Sequence, residues 1–267
     1  MTASSGWPSG SRDATTGAAD VPDIIDIQGV SKRFGGLTAV DGVSLRVTEG
    51  ARHLLIGPNG AGKTTLFHCI TGVLQPTEGA VRLFGIDVTR APQHRRTAMG
   101  LGRTFQITNV FADLTCAENV TLSLLGTKRV KWVPHLRVAS LHDARDRARF
   151  SLDEVGLGGR DDVLAGQLSY GERRQLELAI ALCTRPKVVF LDEPCAGLSP
   201  SERKSISALI AAFPRDITLV MIEHDMDFAM GLADRVSVLH HGKLILEGTP
   251  GEVRSDSGVR DIYFGHV

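Results

Sequence analysis

Residues 57–64 read Gly-Pro-Asn-Gly-Ala-Gly-Lys-Thr, and this stretch decides the fold. It fits G-x-x-x-x-G-K-[ST], a pattern that forms a phosphate-binding loop when a strand precedes it and a helix follows it. Both are predicted here, because residues 53–57 (HLLIG) favour a short buried strand and residues 63–73 open a helix. In such a loop, backbone N–H groups and the helix N-terminus face phosphate oxygens. The stretch therefore predicts a phosphate site in which Lys63 bridges the terminal phosphates and Thr64 holds Mg²⁺.

Two adjacent carboxylates follow a second buried-strand pattern. Residues 188–193 read Val-Val-Phe-Leu-Asp-Glu, so Asp192 and Glu193 come directly after four apolar residues. At the end of a buried strand, Asp192 is expected to face the metal, directly or through water. Glu193 is expected to polarise the water that attacks the γ-phosphate, although a carboxylate here can also simply cap the strand end.

The composition excludes several classes of protein. The 267 residues include 30 Lys and Arg against 30 Asp and Glu, so no net charge attracts nucleic acid or anionic lipid. Apolar stretches such as residues 178–183 are far shorter than the roughly 18 to 20 residues that cross a bilayer. Residues 1–22 are rich in Ser, Gly and Ala without an apolar centre, which predicts a flexible tail rather than a signal peptide, and a cytosolic protein. The four cysteines form no CxxC pair, so they are expected to be packing residues.

The order of strand and helix patterns predicts an α/β fold. Residues 23–47 alternate apolar and polar side chains around Gly-Gly and Asp-Gly turns, which is typical of antiparallel strands. Residues 108–185 show helical spacing with few strand signals, which indicates an inserted helical subdomain. Later strands are predicted within residues 187–194, 217–225, 235–242 and 243–248. Helix signals separate the first two of these, so a parallel sheet with hairpins at either end is expected.

Residues 168–175, Leu-Ser-Tyr-Gly-Glu-Arg-Arg-Gln, resemble the signature motif of the nucleotide-binding subunits of ATP-binding-cassette (ABC) transporters. The common form is LSGGQ, from which Tyr170 and Glu172 depart. Ser169 and Gly171 match the positions that contact γ-phosphate across a dimer, so the departures are expected to alter rate rather than remove a contact. The spacing from Ser169 to Glu172 also predicts a capping box at the start of the following helix.

Further residues of the family pattern follow in order across about residues 24–250. Phe34, in KRFGG, resembles the aromatic residue that stacks on adenine, although a Phe in a β-region is also a common core residue. Gln106, in GRTFQ, resembles the glutamine that links the metal and the attacking water to the helical subdomain. His224, in VMIEHD, resembles the histidine that contacts γ-phosphate. Ser199 stands where the family usually has Asp, and the local Ser-Pro-Ser-Glu predicts a capped helix start.

The resemblance implies three sets of site residues and the cofactors ATP and Mg²⁺. The catalytic set has Glu193 as the base, together with His224 and Gln106. The metal set consists of Thr64, Gln106 and Asp192. The nucleotide-binding set joins the aromatic residue, the phosphate loop and two signature positions: Phe34, Gly57, Pro58, Asn59, Gly60, Ala61, Gly62, Lys63, Thr64, Thr65, Ser169 and Gly171.

The fold that the resemblance implies is an ABC nucleotide-binding domain over residues 23–250. It combines a P-loop NTPase (RecA-like) core with an antiparallel β-subdomain and an inserted helical subdomain at about residues 106–185. A flexible tail at residues 1–22 precedes the domain, and a C-terminal extension at residues 251–267 follows it. The extension is predicted to contain a short helix with one face formed by Val259, Ile262 and Tyr263.

The resemblance also implies partners. Two cassettes on the inner face of the cell membrane sandwich two ATP molecules and drive a separate transmembrane permease. The two are expected here to be non-identical, and a homodimer is the alternative. Residues 107–134 are the expected docking surface for the permease. The basic stretch at residues 128–149, which includes Trp132, fits either a partner contact or a solvated helix face. No nucleic-acid partner is expected.

Several longer phrases, including KRFGGLTAVDGVSL and VMIEHDMDFAMGLADRVSVLHHGK, look most like the ATP-binding subunits of bacterial branched-chain amino-acid importers. An extracytoplasmic solute-binding protein is then an indirect partner. No residue here is expected to touch the solute, so urea or amide import and lipopolysaccharide export are alternatives. A soluble ABC ATPase for DNA repair, translation or cofactor assembly is less favoured. Repair members carry long coiled-coil insertions and translation members carry two cassettes, whereas this chain has neither a sustained heptad nor a second phosphate loop.

Overall fold

Two β-sheets and the helices packed on them make up the part of the chain that the structure describes. The computed structural model describes residues 22–104, 110–127, 138–223 and 226–264. Several predictions fall outside these residues: Gln106, His224, Trp132 with the basic residues around it, and nearly all of the N-terminal tail.

Strands and helices alternate over most of this part of the chain. In chain order the strands are β1 (Asp23–Phe34), β2 (Leu37–Thr48), β3 (Arg52–Ile56), β4 (Glu78–Leu83), β5 (Ile86–Asp87), β6 (Leu101–Arg103), β7 (Val188–Asp192), β8 (Thr218–Ile222), β9 (Arg235–His240) and β10 (Lys243–Gly248). The helices are α1 (Lys63–Thr71), α2 (Gln93–Ala98), α3 (Cys116–Thr127), α4 (Val138–Glu154), α5 (Tyr170–Leu182), α6 (Pro200–Ala211), α7 (Met226–Leu232), α8 (Pro250–Ser255) and α9 (Ser257–Phe264).

The smaller sheet is antiparallel and has the strand order β2-β1-β4-β5. Successive side chains of a strand point to opposite faces, so an alternating sequence buries one face. In β2, Val43, Leu45 and Val47 are buried, whereas Ser44 and Arg46 between them are exposed. This sheet therefore covers the core with one face and leaves the other to solvent.

The larger sheet has the order β10-β9-β3-β8-β7-β6 and is parallel except for the β9–β10 hairpin. Strands β3, β7 and β8 are buried along their whole length, as strands covered on both faces must be. Ile222 at the end of β8 is in register with Leu55 of β3 and with Asp192 of β7. The carboxyl ends of these three strands consequently meet at one edge of the sheet.

Helix α1 lies between the two sheets. Its buried residues Leu66, Phe67 and Ile70 belong to a core that also contains side chains of β1, β2 and β7. The Phe67 ring meets Phe190 of β7 edge to face, with 4.8 Å between the ring centroids. Because α1 begins directly after the phosphate loop, this packing fixes the direction in which the loop leaves the sheet.

Helices α3, α4 and α5 pack against one another, and α5 also packs against β6 of the larger sheet. They supply the helical structure predicted between residues 108 and 185, within the residues described there. The α/β fold class is confirmed. All four cysteines are buried and free, as expected for packing residues. In the described part of the chain, no helix is long and apolar enough to cross a membrane.

A buried arginine closes the C-terminus of α1. The last carbonyl groups of a helix have no partner within it, and a cation there also complements the helix dipole. Arg96 of α2 is fully buried and donates hydrogen bonds to the carbonyl oxygens of Cys69 and Ile70, at 2.8 and 2.5 Å. It also donates to Ala91 at 3.0 Å and Thr89 at 3.3 Å. Burial lowers the pKa of Arg96 to about 10.

Replacing Arg96 should destabilise the protein because it leaves these carbonyl oxygens buried without donors. For Arg96→Met we expect the free energy of unfolding to fall by about 3 kcal/mol, the combined effect of several unsatisfied buried groups. Urea denaturation monitored by circular dichroism measures this change. Arg95→Met, one residue earlier on the exposed side of α2, is the matched control and should change stability little. Equal stability of the two variants would contradict the capping role.

Candidate functional site

The phosphate loop runs between β3 and α1 and is held between the two sheets. Gly57 has φ 152° and Gly62 has φ 98°, both outside the range that other residues readily adopt. A Cβ atom at Gly57 would collide with the Leu239 carbonyl of β9, and one at Gly62 would collide with the Ala39 carbonyl of β2. The larger sheet therefore requires glycine at position 57, and the smaller sheet requires glycine at position 62.

Lys63 is folded back against its own loop. Its ammonium group donates hydrogen bonds to the carbonyl oxygens of Gly57 at 2.7 Å and Pro58 at 3.0 Å. Burial lowers the pKa of Lys63, while the negative charges of Glu193 and Asp192 act in the opposite direction. The loop, this cation and the two carboxylates therefore lie at one place, as the sequence predicts.

Asp192 ends β7 as a buried carboxylate. It is only 1% exposed, and neither of its carboxylate oxygens has a hydrogen-bond partner among the described residues. Burial raises the pKa of Asp192; Arg103, Lys63 and Arg174 lower it, and Glu193 adds to the rise. A buried acceptor group without donors has the chemistry of a cation ligand.

Glu193 follows in a strained backbone conformation. Its φ of 48° lies in the left-handed region, which costs a residue with a side chain on the order of 1–3 kcal/mol. Its N–H donates to the Ile222 carbonyl at 2.9 Å, so the backbone turns away from β7 while still bonded to β8. Such strain is concentrated at functional sites, where the surrounding structure maintains it.

The signature turn, residues 168–171, starts α5 with the predicted capping box. Ser169 Oγ accepts from the Glu172 N–H at 3.2 Å, and the Glu172 carboxylate accepts from the Ser169 N–H at 2.9 Å. Arg160 forms a 3.0 Å ion pair with Glu172. Glu172 thus stabilises the helix start at a position where the common motif has Gln.

The predicted capping motif at Ser199 is also confirmed. Ser199 is the N-cap of α6, Pro200 is its first residue, and Glu202 completes the box. The Glu202 carboxylate accepts from the Ser199 N–H at 3.0 Å and from its hydroxyl at 2.6 Å. These hydrogen bonds lower the pKa of Glu202, so the carboxylate stays ionised.

The predicted nucleotide contacts outside the phosphate loop have contrasting surroundings. Phe34 is 46% exposed at the end of β1, which rules out the alternative of a core residue. The Lys32 ammonium lies 5.1 Å from its ring centroid. Ser169 and Gly171 lie beside α6 instead, since the Gly171 N–H donates to Glu202 at 3.1 Å. Gln106 and His224 lie outside the described residues.

Two charged residues of the site were not identified from the sequence. Arg103 of β6 donates to Thr71 Oγ1 at 3.3 Å, packs over the Phe67 ring, and lowers the pKa of Asp192. Glu223 is buried directly after β8, and its carboxylate accepts from the Cys195 N–H at 2.8 Å. Arg103 lies within GRTFQ and Glu223 within VMIEHD, so both are close in sequence to a predicted site residue. The spacing of residues along the chain nevertheless predicts neither of their roles.

Known proteins resemble the chain over nearly its whole length. The family model described as ABC transporter matches residues 40–196. The high-affinity branched-chain amino acid transport ATP-binding protein BraF of Pseudomonas aeruginosa is 40% identical over 252 residues, covering 91% of this chain and 98% of BraF. The lipopolysaccharide export system ATP-binding protein LptB of Acidithiobacillus ferridurans is 34% identical over 244 residues, covering 91% of this chain and 97% of LptB.

Solved structures of ATP-binding cassettes also resemble the chain over most of its length. The ADP conformation of MJ1267, an ATP-binding cassette of an ABC transporter, has a TM-score of 0.80 and 32% identity, covering 92% of this chain and all of MJ1267. The dimeric post-hydrolysis state of the cassette MJ0796, bound to ADP and Pi, has a TM-score of 0.73 and 26% identity, covering 85% of this chain and 98% of MJ0796.

Cassettes of this kind bind nucleotide, form dimers and work with membrane permease subunits. The match of the family model covers the phosphate loop, the signature turn and the carboxylates at the end of β7. Relatives and structural neighbours extend the similarity to most of the remaining chain. The chain therefore belongs to the ABC transporter family, as one of its ATPase cassettes.

Proposed function

We propose that this chain hydrolyses ATP to power an importer of branched-chain amino acids. The observation that carries the ATPase part is the buried Asp192 carboxylate, without a hydrogen-bond partner among the described residues, at the strand end beside Lys63. The observation that supports the cargo is the 40% identity to BraF over 98% of that protein.

Nucleotide binding is assigned to Phe34 and to the phosphate loop. Phe34 provides an exposed ring for the adenine, and residues 57–65 provide backbone N–H groups for the phosphates. Asp192 and Thr64, with Gln106 as a third residue, would hold Mg²⁺. The buried, hydrogen-bond-free oxygens of Asp192 fit a divalent cation. When bound, the ion neutralises charge on the β- and γ-phosphates.

Hydrolysis is assigned to Glu193. In this role the carboxylate accepts a proton from the water that attacks the γ-phosphorus, and the bond to the β-γ bridging oxygen breaks. Lys63 would exchange the carbonyl oxygens of Gly57 and Pro58 for phosphate oxygens, which keeps its ammonium group hydrogen-bonded and pairs it with an anion. His224 is assigned a contact to the γ-phosphate.

The complete site is proposed to need a second cassette. Ser169 and Gly171 lie beside α6, and in a head-to-tail pair they would contact the ATP held by the partner. The paired cassette is proposed to be a different ATPase. Closure on ATP and reopening after hydrolysis would then move permease helices docked near residues 107–134.

The proposed arrangement has residues 23–250 as the cassette domain, with the helical subdomain at about 106–185. Residues 1–22 are a tail, and residues 251–267 are an extension that includes α9. The assembly is proposed to lie on the inner face of the cell membrane. It would receive its solute indirectly from an extracytoplasmic binding protein.

Transport in the native host tests the cargo. Deletion of this chain should abolish uptake of radiolabelled leucine, isoleucine and valine, and wild-type protein should restore it where Lys63→Ala protein does not. Loss of urea or acetamide uptake with normal leucine uptake would contradict the proposed cargo and show that the importer carries urea or an amide instead. A defect in lipopolysaccharide export would favour the relationship to LptB instead.

The Lys63→Ala variant should lose ATPase activity and bind ATP more weakly, because Lys63 is the cation that the loop places on the terminal phosphates. Phosphate release and titration with a fluorescent ATP analogue measure both effects. Lys187→Ala is a suitable control, since Lys187 is exposed at the opposite end of β7. Undiminished turnover of purified Lys63→Ala protein would contradict the site assignment.

The Glu193→Gln variant should hydrolyse ATP about 10²- to 10⁴-fold more slowly, because the amide cannot accept a proton from water. ATP affinity should be retained, and ATP should accumulate in a longer-lived dimer, alone or with a paired ATPase. Phosphate release and size-exclusion chromatography with Mg-ATP test both expectations.

The Asp192→Asn variant distinguishes the role of Asp192 as a metal ligand from the role of Glu193 as the base. This variant should weaken the Mg²⁺ dependence of ATP binding and form no long-lived dimer. Wild-type phosphate release by Glu193→Gln would refute the base role. Slow hydrolysis by Glu193→Gln without a longer-lived dimer would indicate damaged metal binding through Asp192 instead.

A further inference from the structure

A short turn follows β7 at residues 193–196, which we call the base turn because it starts with Glu193. The Ala196 N–H donates to the Glu193 carbonyl at 3.1 Å and closes the turn. Pro194, its second residue, has a fixed φ and no N–H. The N–H groups of Glu193 and Cys195 are therefore the ones that can fix the turn to the surrounding structure.

Both of these N–H groups bind the end of β8. The Glu193 N–H donates to the carbonyl of Ile222, the last residue of β8, at 2.9 Å. The Cys195 N–H donates to Oε1 of the next residue, Glu223, at 2.8 Å. Two consecutive residues thus hold the base turn at two points, one on either side of Pro194.

The contact between Glu223 and Cys195 is buried. Glu223 is 4% exposed and Cys195 is 3% exposed, so water is kept from the hydrogen bond between them. Without this carboxylate, the Cys195 N–H would be buried without its acceptor. Burial and the negative charge of Glu223 raise the pKa of the Cys195 thiol to about 12. The thiol therefore stays neutral and adds no second negative charge beside Glu223.

Glu193 depends on such contacts to keep its backbone conformation. Its φ of 48° lies in the left-handed region, which is unfavourable for a residue with a side chain and persists only where the surroundings enforce it. The Ile222 carbonyl fixes the chain where Glu193 leaves β7, and Glu223 fixes it again beyond Pro194. The direction of the Glu193 side chain follows from both contacts, because its Cα lies between them.

We propose that Glu223 is a positioning residue for the base: through the Cys195 N–H, it maintains the turn that aims the Glu193 carboxylate at the attacking water. The proposal rests on the proposed function, because it assumes that Glu193 is the base. Loss of the hydrogen bond should slow hydrolysis without weakening ATP binding, which is assigned to Phe34 and the phosphate loop.

Two conservative variants separate the reach of the Glu223 side chain from its charge. Glu223→Gln keeps the length and one oxygen that can accept from the Cys195 N–H, but it is neutral. Glu223→Asp keeps the charge, but its carboxylate is one methylene short of that N–H. In the assembly that contains the chain, we expect kcat to fall at least about tenfold for Glu223→Asp and to stay within about threefold of wild type for Glu223→Gln. The affinity of both for a fluorescent ATP analogue should stay within about twofold of wild type.

Thr218 provides a matched control at the opposite end of β8. It is fully buried, and its Oγ1 accepts from the Gly50 N–H at 2.9 Å. Thr218→Val keeps the shape of the side chain and also removes the acceptor of a backbone N–H, so it disturbs the fold in a comparable way. Because this end of the strand is the one away from the base turn, Thr218→Val should retain wild-type kcat.

A double-mutant cycle tests whether Glu223 acts through Glu193. Residues that act as a unit have non-additive effects, whereas independent residues have additive ones. Single-turnover hydrolysis is measured for wild type, Glu193→Gln, Glu223→Asp and the double variant. Glu223→Asp should slow the wild-type protein at least about tenfold but change the rate of Glu193→Gln by less than about twofold.

Hydrogen–deuterium exchange tests the contact without relying on activity. The amide of Cys195 should exchange faster in Glu223→Asp than in wild type, because its hydrogen bond opens more often. Glu223→Gln and Thr218→Val should leave this exchange close to wild type.

The proposal is overturned if Glu223→Asp has wild-type turnover, if Glu223→Gln or Thr218→Val loses as much turnover as Glu223→Asp, if the effects in the cycle are additive, or if exchange at Cys195 is unchanged. Failure of the proposed function looks different, because wild-type protein would then show no ATPase activity that Lys63→Ala abolishes.

Discussion

The passage of the phosphate loop between two carbonyl groups is the constraint on which the rest of the structure depends. Leu239 of the larger sheet and Ala39 of the smaller sheet approach the loop so closely that Gly57 and Gly62 have no room for a Cβ. The Ala61 carbonyl also accepts from the Gly242 N–H at 3.0 Å. The loop is therefore shaped by both sheets, and the direction of α1 follows from it.

The charges at the end of β7 depend on the same arrangement. Asp192 is buried where Lys63, Arg103 and Arg174 partly compensate its negative charge, although it lacks hydrogen-bond partners among the described residues. A buried charge of this kind is unfavourable unless it is paired, which favours binding of a cation. The strained φ of Glu193 fits the same interpretation, since a strained backbone persists only where its surroundings enforce it.

Capping boxes have more than a local role in this fold. The boxes at Ser169 and Ser199 satisfy the free N–H groups at the starts of α5 and α6. Because the Glu202 carboxylate has two oxygens, it completes its own cap and binds Gly171 as well. A residue that sequence alone explains as a helix cap thus also joins two functional segments.

The sequence by itself determined the α/β class, the phosphate loop, the carboxylate pair and both capping boxes, because each depends on neighbouring residues or on a short repeating pattern. Only the tertiary structure decided that Phe34 is exposed, that Arg96 caps α1, and that Arg103 and Glu223 belong to the site. It also decided that Tyr170 meets Gly197 and that Glu202 meets Gly171, across 27 and 31 positions of the chain. Such contacts follow from how helices and strands pack, and spacing along the chain carries no information about them.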